Sequence, residues 1–595
     1  MIKSETLANL LRKPVTIEVW ESHLISGDNY RYIVRGDEKN WKVTYRFVNK
    51  LLTQGFRVEW VLSPFNVYTI EDYNKSTSFP ADSFLIEMSD DREGSSNNSS
   101  LLRIASDLKI KMAKIDFSTE IKTLRLNRPV VGLFANAGSP FPFVPILADL
   151  GIEHIPLSVD DINDGGLRNV NVFVIPGGGD YGPPFQGKIL GKTGRKKVRD
   201  FVSIGGGVWG SCAGCCNLLV THSSATNSTV SSSREEWHKV ESLELICGEY
   251  WSSPDLSGVG RLVVENVRRD HPVMLGLPRQ FEMVWHLGPL LKVTNEPLAG
   301  ATKPEELVRP VRITRNWTPA EFMNSTRKFS RLELQSTYVG RGIVEKRPGV
   351  LLGNFGKGTV CACGGHPEFG MDVLLENQGI ASKMFVNFVL LASSSSPNPE
   401  ATRPLQRQTI YRRLRESEST IRSQLNNLQY QIEQLTQLSK RNPNPEWLNS
   451  SRAASTFGKT AREKWPIILK RLSKLPSEIE TESRQFFRNQ KLLQSKLRSI
   501  SSKKQISELK SHLERIEECL SYSIDQDKAD YGYQGVLPLL RSARAKMIKA
   551  RAAYDKHSSP DPYPLIWDFY LGALYDLINA RLMMKARNDL IELFL

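Results

Sequence analysis

The period of the apolar positions changes several times along this chain. From Trp41 to Leu52 they recur at helical spacing, Gly55 stops the run, and Phe56 to Val61 alternates as a strand. Phe84 to Ile86 is a second short apolar run, Asp90 to Ser100 (DDREGSSNNSS) reads as a polar loop, and Leu101 to Met112 reads as a helix. Residues 1–125 are thus expected to be a small mixed α/β unit with no site-like cluster, and His23 stands alone in it.

From residue 126 to residue 394, short apolar runs at Pro129–Phe134, Ile152–Leu157, Val172–Ile175 and Gly358–Cys363 alternate with helical stretches. Two such stretches are Phe143–Leu150, closed by Gly151, and Lys196–Ile204. Strands alternating with helices predict a parallel sheet covered on both faces. In such sheets the ligand site lies beyond the carboxyl ends of the strands.

Ser393–Pro404 (SSSSPNPEATRP) ends this pattern and marks a linker over 395–404. In 405–595 the period becomes heptad-like. Leu414, Ile421, Leu425, Leu428, Ile432 and Leu435 form one seam, and Ile506, Leu509, Leu513, Ile516 and Leu520 form another. Further helical regions run from Val536 to Tyr554 and from Leu565 to Leu595. The pattern predicts an antiparallel bundle with the seams facing each other, the alternative being self-association as an intermolecular coiled coil.

Charge and composition narrow the setting. A chain of 595 residues is too long for a single core. Of the formal net charge of +15, residues 401–595 carry +13, from 34 Lys and Arg against 21 Asp and Glu. Such a region reads as a solvated helical surface or as a nucleic-acid contact. The basic stretch Arg541–Arg551 lacks the interleaved aromatics typical of strand binding. Seven cysteines do not make a disulfide framework in this length. The first twenty residues lack a signal-peptide core, and no run approaches a membrane span. The expectation is a cytoplasmic protein with no membrane partner.

The chemistry concentrates between Val172 and Leu219. Gly210-Ser211-Cys212-Ala213-Gly214 has the form of a nucleophile elbow, a sharp strand-to-helix turn that presents its central side chain at a helix N-terminus. Downstream, Gly364-Gly365-His366-Pro367-Glu368 ends a predicted strand, and His366 and Glu368 lie two residues apart on one side of it. Base and orienter thereby arrive at the same sheet edge as the thiol. Two other readings use the same residues: a Cys212–Cys215 redox pair, and a thiolate metal site from Cys212, Cys215, Cys361, Cys363 and His366. Gly205–Gly210 also matches G-x-G-x-x-G, but these glycines end a helix and open a strand, the reverse of the dinucleotide fingerprint.

Taken together, Pro176-Gly177-Gly178-Gly179-Asp180, the GSCAG elbow and GGHPE resemble the class I glutamine amidotransferase-like superfamily, in the branch of the N-terminal domain of biotin-protein ligases. The resemblance covers 129–394 and implies a flavodoxin-like sheet with a Cys212–His366–Glu368 triad. It further implies an oxyanion hole from backbone N–H groups of Gly178, Gly179 and Ala213. A substrate pocket near Asp180, Tyr181, His286 and Gly288 would take a small amide-like molecule without cofactor or metal. Glutaminases of this class carry Gln where this chain has Cys216, so the implied reaction is thiol-dependent hydrolysis or transfer at an amide or acyl group. The alternative is an inactive domain that binds a ligand or protein partner, with 405–595 as its docking platform.

Overall fold

The computed structural model describes residues 30–36, 41–69, 72–87, 94–116, 121–136, 138, 142–177, 184–221, 242–251, 259–286, 288–294, 298–317, 347–368, 379–397, 418–443, 461–499 and 536–554, with isolated helical positions in 503–510 and 573–591. The chain is mixed α/β and divides into two compact units, Met1–Arg125 and Leu126–Leu595.

In the first unit the strands are β1 (Tyr30–Val34), β2 (Arg57–Val61), β3 (Phe65–Thr69), β4 (Asp72–Phe79), β5 (Phe84–Glu87), β6 (Met112–Asp116) and β7 (Thr123–Arg125). They form an antiparallel sheet in the order β4-β3-β6-β1-β5-β2-β7. Helix α1 (Trp41–Thr53) buries Trp41, Tyr45, Phe47, Val48 and Leu51, and Gly55 follows it at φ 83°. Helix α2 (Gly94–Asp107) corrects the sequence reading twice. The Gly94–Ser100 part of the expected polar loop is helical, and Met112 opens a strand rather than closing a helix. Burial of Leu101, Ile104 and Ala105 holds α2 together despite its weak N-terminal propensity.

In the second unit, a nine-stranded sheet runs β15-β14-β17-β18-β19-β11-β10-β8-β9. Its strands are β8 (Val130–Phe134), β9 (Glu153–Leu157), β10 (Val172–Ile175), β11 (Gly207–Ser211), β14 (Val259–Asn266), β15 (Gln280–His286), β17 (Glu305–Trp317), β18 (Val350–Phe355) and β19 (Gly358–Cys363). From β9 to β19 every pairing is parallel; from β19 to β15 every pairing is antiparallel. The expected all-parallel sheet is therefore parallel over five strands only. Strands β8, β10, β11 and β19 are buried along their whole length, as strands covered on both faces must be. Two further strands, β12 (Leu219–Thr221) and β13 (Ile246–Trp251), join β16 (Leu290–Val293) in a small third sheet.

Helices α3 (Phe143–Asp149), α4 (Val159–Asn163), α5 (Pro184–Ser203), α6 (Ala213–Cys216) and α7 (Ile380–Ser395) belong to this part of the unit. Helix α7 buries Met384, Phe385, Val386, Phe388, Val389 and Leu390. Phe385 and Phe388 pack on Trp209 of β11, with ring centroids 5.3 Å apart in both pairs.

Beyond the linker, α8 (Glu418–Arg441) buries Ile421, Leu425, Leu428, Ile432 and Leu435, the described part of the first seam, and packs on α9 (Ala461–Ser499) and α10 (Val536–Ala553) of the same chain. Leu414, Leu509, Leu513, Ile516 and Leu520 lie outside the described residues. The 39-residue helix α9 is absent from the sequence reading. Pro466 and Pro476 interrupt its propensity, yet Trp465, Leu472, Leu475, Ile479, Phe486 and Leu493 are buried on both sides of them.

One polar contact ties the C-terminal helical segment to the sheet. Arg587, fully buried, donates from Nη2 to His154 Nε2 at 3.3 Å, while His154 Nδ1 faces the Ile152 carbonyl at 3.0 Å. Arginine only donates, so Nε2 accepts and the ring proton sits on Nδ1. Burial, reinforced by the Arg587 charge, pushes the His154 pKa down to about 3. The unfolded chain protonates this histidine below about pH 6.5, whereas the folded chain does not until about pH 3. Its contribution to stability is thus present above pH 6.5 and lost as pH falls from there toward 3, at about 1.4 kcal/mol per unit. His154→Asn should flatten the acid limb of stability between pH 6 and pH 4, read from urea midpoints; an unchanged limb would contradict this assignment.

Candidate functional site

The elbow is built by close packing of backbone. Strand β11 lies between β10 and β19, and its last residue, Ser211, pairs with Cys363. Cys212 N–H donates to the Cys363 carbonyl at 2.8 Å. The chain then turns sharply into α6, leaving Cys212 at φ 50°, ψ −118°. A non-glycine residue in that conformation costs on the order of 1–3 kcal/mol and persists only where its surroundings enforce it. The enforcing contacts are steric. A Cβ on Gly214 would stand 2.1 Å from the Ile175 carbonyl oxygen, and one on Gly210 would stand 2.7 Å from the Gly214 carbonyl oxygen. Both flanking glycines are required for the turn to close against the end of β10.

The same close approach brings three chain segments together. A Cβ on Gly177 would lie 2.7 Å from Cys212 Cβ and 2.7 Å from His366 Cε1, so the backbone leaving β10 fits against thiol and imidazole at once. The sequence reading places the Gly177–Gly179 loop at this edge but assigns backbone roles only to Gly178 and Gly179. Those two, with Asp180 and Tyr181, lie outside the described residues.

His366 N–H donates to the Val284 carbonyl of β15 at 2.8 Å, which anchors the histidine backbone. Its ring hydrogen-bonds Glu368 through Nδ1 and Oε1 at 2.7 Å, and the Cys212 side chain lies close by, both flanking Gly177. All three side chains are buried, Cys212 at 8%, His366 at 5% and Glu368 at 2% exposure. Burial by itself would depress the His366 pKa; the Glu368 and Cys212 charges and hydrogen bonds override it and push it up to about 10. The arrangement therefore favours imidazolium.

Glu368 has a second partner. Ser211 Oγ donates to Oε2 at 3.0 Å, and Trp209 Nε1 donates to Ser211 Oγ at 2.8 Å. Trp209 and Ser211 share a face of β11 because they are two residues apart. That alternation was visible in GVWGSCAG, but neither residue was singled out.

The other thiols have different surroundings. Cys215, Cys361 and Cys363 are fully buried, and burial raises each pKa well above the usual thiol range. Cys216, in the position discussed for Gln, is also buried and directs Sγ toward the Cys212 carbonyl at 3.8 Å. All six described cysteines are free thiols. Among the described residues, no three His, Cys, Asp or Glu side chains are grouped to hold a metal. Ala213 opens α6 directly after Cys212. His286 ends β15, paired with Val259. Gly288 is buried where any Cβ would meet the Gly364 carbonyl oxygen at 1.8 Å, and its own carbonyl accepts from Trp285 Nε1 at 2.7 Å.

No protein-family model matches this sequence, and no curated protein matches it. A search of solved structures returns PurLQS from Thermotoga maritima, at 13% identity and TM-score 0.27, covering 44% of this chain and 97% of that one. It also returns a ThuA-like protein from Bacteroides uniformis, at 13% identity and TM-score 0.25, covering 44% and 90%. Among the described residues no helix is long and apolar enough to cross a membrane.

Gly177→Ala provides a direct test of the packing at this site. The added methyl should separate Cys212 from His366 and slow alkylation of Cys212 at pH 7 by roughly tenfold, with a urea midpoint still showing a folded chain. Wild-type alkylation in a folded Gly177→Ala protein would mean that the three segments do not meet as described.

Proposed function

We propose that residues 126–394 form a class I glutamine amidotransferase-like domain, flavodoxin-like in its parallel half, that cleaves or transfers an amide or related acyl group through Cys212. The observation that carries this reading is the strained φ of Cys212, placed beside an imidazole that a carboxylate orients. Backbone strain of this kind clusters at active sites and ligand clamps. The order β9-β8-β10-β11-β19 supports it, since chain order 2-1-3-4-5 is that of flavodoxin-like sheets and the elbow lies at their carboxyl edge.

In the proposed reaction the Cys212 sulfur attacks the carbonyl carbon of a small amide-like substrate. The thiol proton is held by His366, with Glu368 as its orienting partner. As the tetrahedral intermediate collapses, the C–N bond breaks and His366 Nε2 delivers the proton to the departing amine. Water or another acceptor then attacks the thioester as His366 takes its proton, and collapse of the second intermediate breaks the C–S bond and releases the acyl product from Cys212. Backbone N–H groups of Gly178, Gly179 and Ala213 are the proposed oxyanion donors, and Asp180, Tyr181, His286 and Gly288 the proposed substrate surroundings. With Cys216 in place of Gln, glutamine is one candidate substrate among several.

The test is release of ammonia or amine from a panel of primary and secondary amides, glutamine included, by wild type and Cys212→Ala. Turnover of at least one amide that falls by 10³-fold or more in Cys212→Ala is expected. Equal rates in the two proteins, or no turnover of any amide, would count against the reading.

A further inference from the structure

We propose that Ser211 is a positioning residue of this site, fixing the Glu368 carboxylate through a hydrogen bond whose direction Trp209 dictates; this rests on the catalytic reading above. The inference follows from donor and acceptor bookkeeping. Indole nitrogen is a donor only, so in the 2.8 Å contact Trp209 Nε1–H must donate and Ser211 Oγ must accept. The single hydroxyl proton of Ser211 is then committed to its other neighbour, Glu368 Oε2 at 3.0 Å. Oε2 is thereby occupied, and Oε1 faces His366 Nδ1 at 2.7 Å. Nε2 is left to serve Cys212.

The chain from Trp209 to His366 contains no rotor able to reverse. Trp209, Ser211 and Glu368 are all at most 2% exposed, and Trp209 is wedged between Phe385 and Phe388 of α7. The titratable groups facing it among the described residues are Cys212 and, on β19, Cys363, whose thiol burial holds neutral. A buried hydroxyl donated to a carboxylate is also among the stronger hydrogen bonds. Ser211 touches neither substrate nor thiol; it acts through Glu368.

The test is the pH profile of Cys212 alkylation by iodoacetamide, followed by mass spectrometry of the Cys212 peptide, in wild type, Ser211→Ala, Trp209→Phe and His366→Ala. In Ser211→Ala the onset of alkylation should move to higher pH, giving about a tenfold lower rate at pH 6.5. Trp209→Phe keeps the hydroxyl but frees its direction, so a shift of the same sign and about threefold is expected. It decides the matter if Ser211→Ala fails to fold. Wild-type profiles in folded Ser211→Ala and Trp209→Phe, with His366→Ala clearly shifted, would overturn the inference and leave the catalytic reading standing. A profile insensitive to His366→Ala would instead remove the catalytic reading itself.

Discussion

Much of the candidate site depends on one steric constraint, the close approach of the chain at the end of β11 to the end of β10. The glycines at 210 and 214 let α6 begin within van der Waals contact of the Ile175 carbonyl, and Cys212 absorbs the sharpness of that turn in a left-handed φ. Gly177 lets the chain at the end of β10 lie against the thiol and the imidazole. The parallel pairing of β11 with β19 brings the strand that leads to His366 and Glu368 alongside. At all three glycines the approach is possible only because no side chain stands in the way.

The electrostatics follow from the packing. Sealed from solvent, the imidazole would ordinarily be neutral, as His154 is in its apolar setting beside Arg587. The difference at His366 is that its neighbouring carboxylate and sulfur outweigh burial, whereas at His154 the Arg587 guanidinium reinforces burial and Glu153 does not offset it. Burial lowers the pKa of both histidines; at His154 the Arg587 charge adds to that effect, and at His366 the neighbouring groups reverse it. The thiols of Cys215, Cys361 and Cys363 are kept neutral chiefly by burial.

The local parts of this structure were legible in the sequence. Strand runs such as VVGLF and VFVI, the helix from Trp41, the stop at Gly55 and the seam from Ile421 to Leu435 are encoded by short-range period and turn chemistry. The proximity of Cys212 to His366 was reached by pairing two strand ends across about 150 residues of sequence. The antiparallel half of the sheet was not foreseen, because β14, β15 and β17 find their partners through long-range register. Helix α9 was hidden by its prolines, and α2 by a serine- and asparagine-rich start that only tertiary packing makes helical. Ser211 and Trp209 were in plain view, but their role exists only through a hydrogen bond to a residue 157 positions away.

The central claim is that the elbow holds Cys212 against a histidine kept charged by its two partners. Its most direct measurement is the titration of His366 by nitrogen-15 NMR of histidine-labelled protein, with the resonance assigned by His366→Gln. The account predicts a ring that remains imidazolium through pH 8 and titrates at about 10. A midpoint at or below the ordinary histidine value of about 6.5 would contradict it.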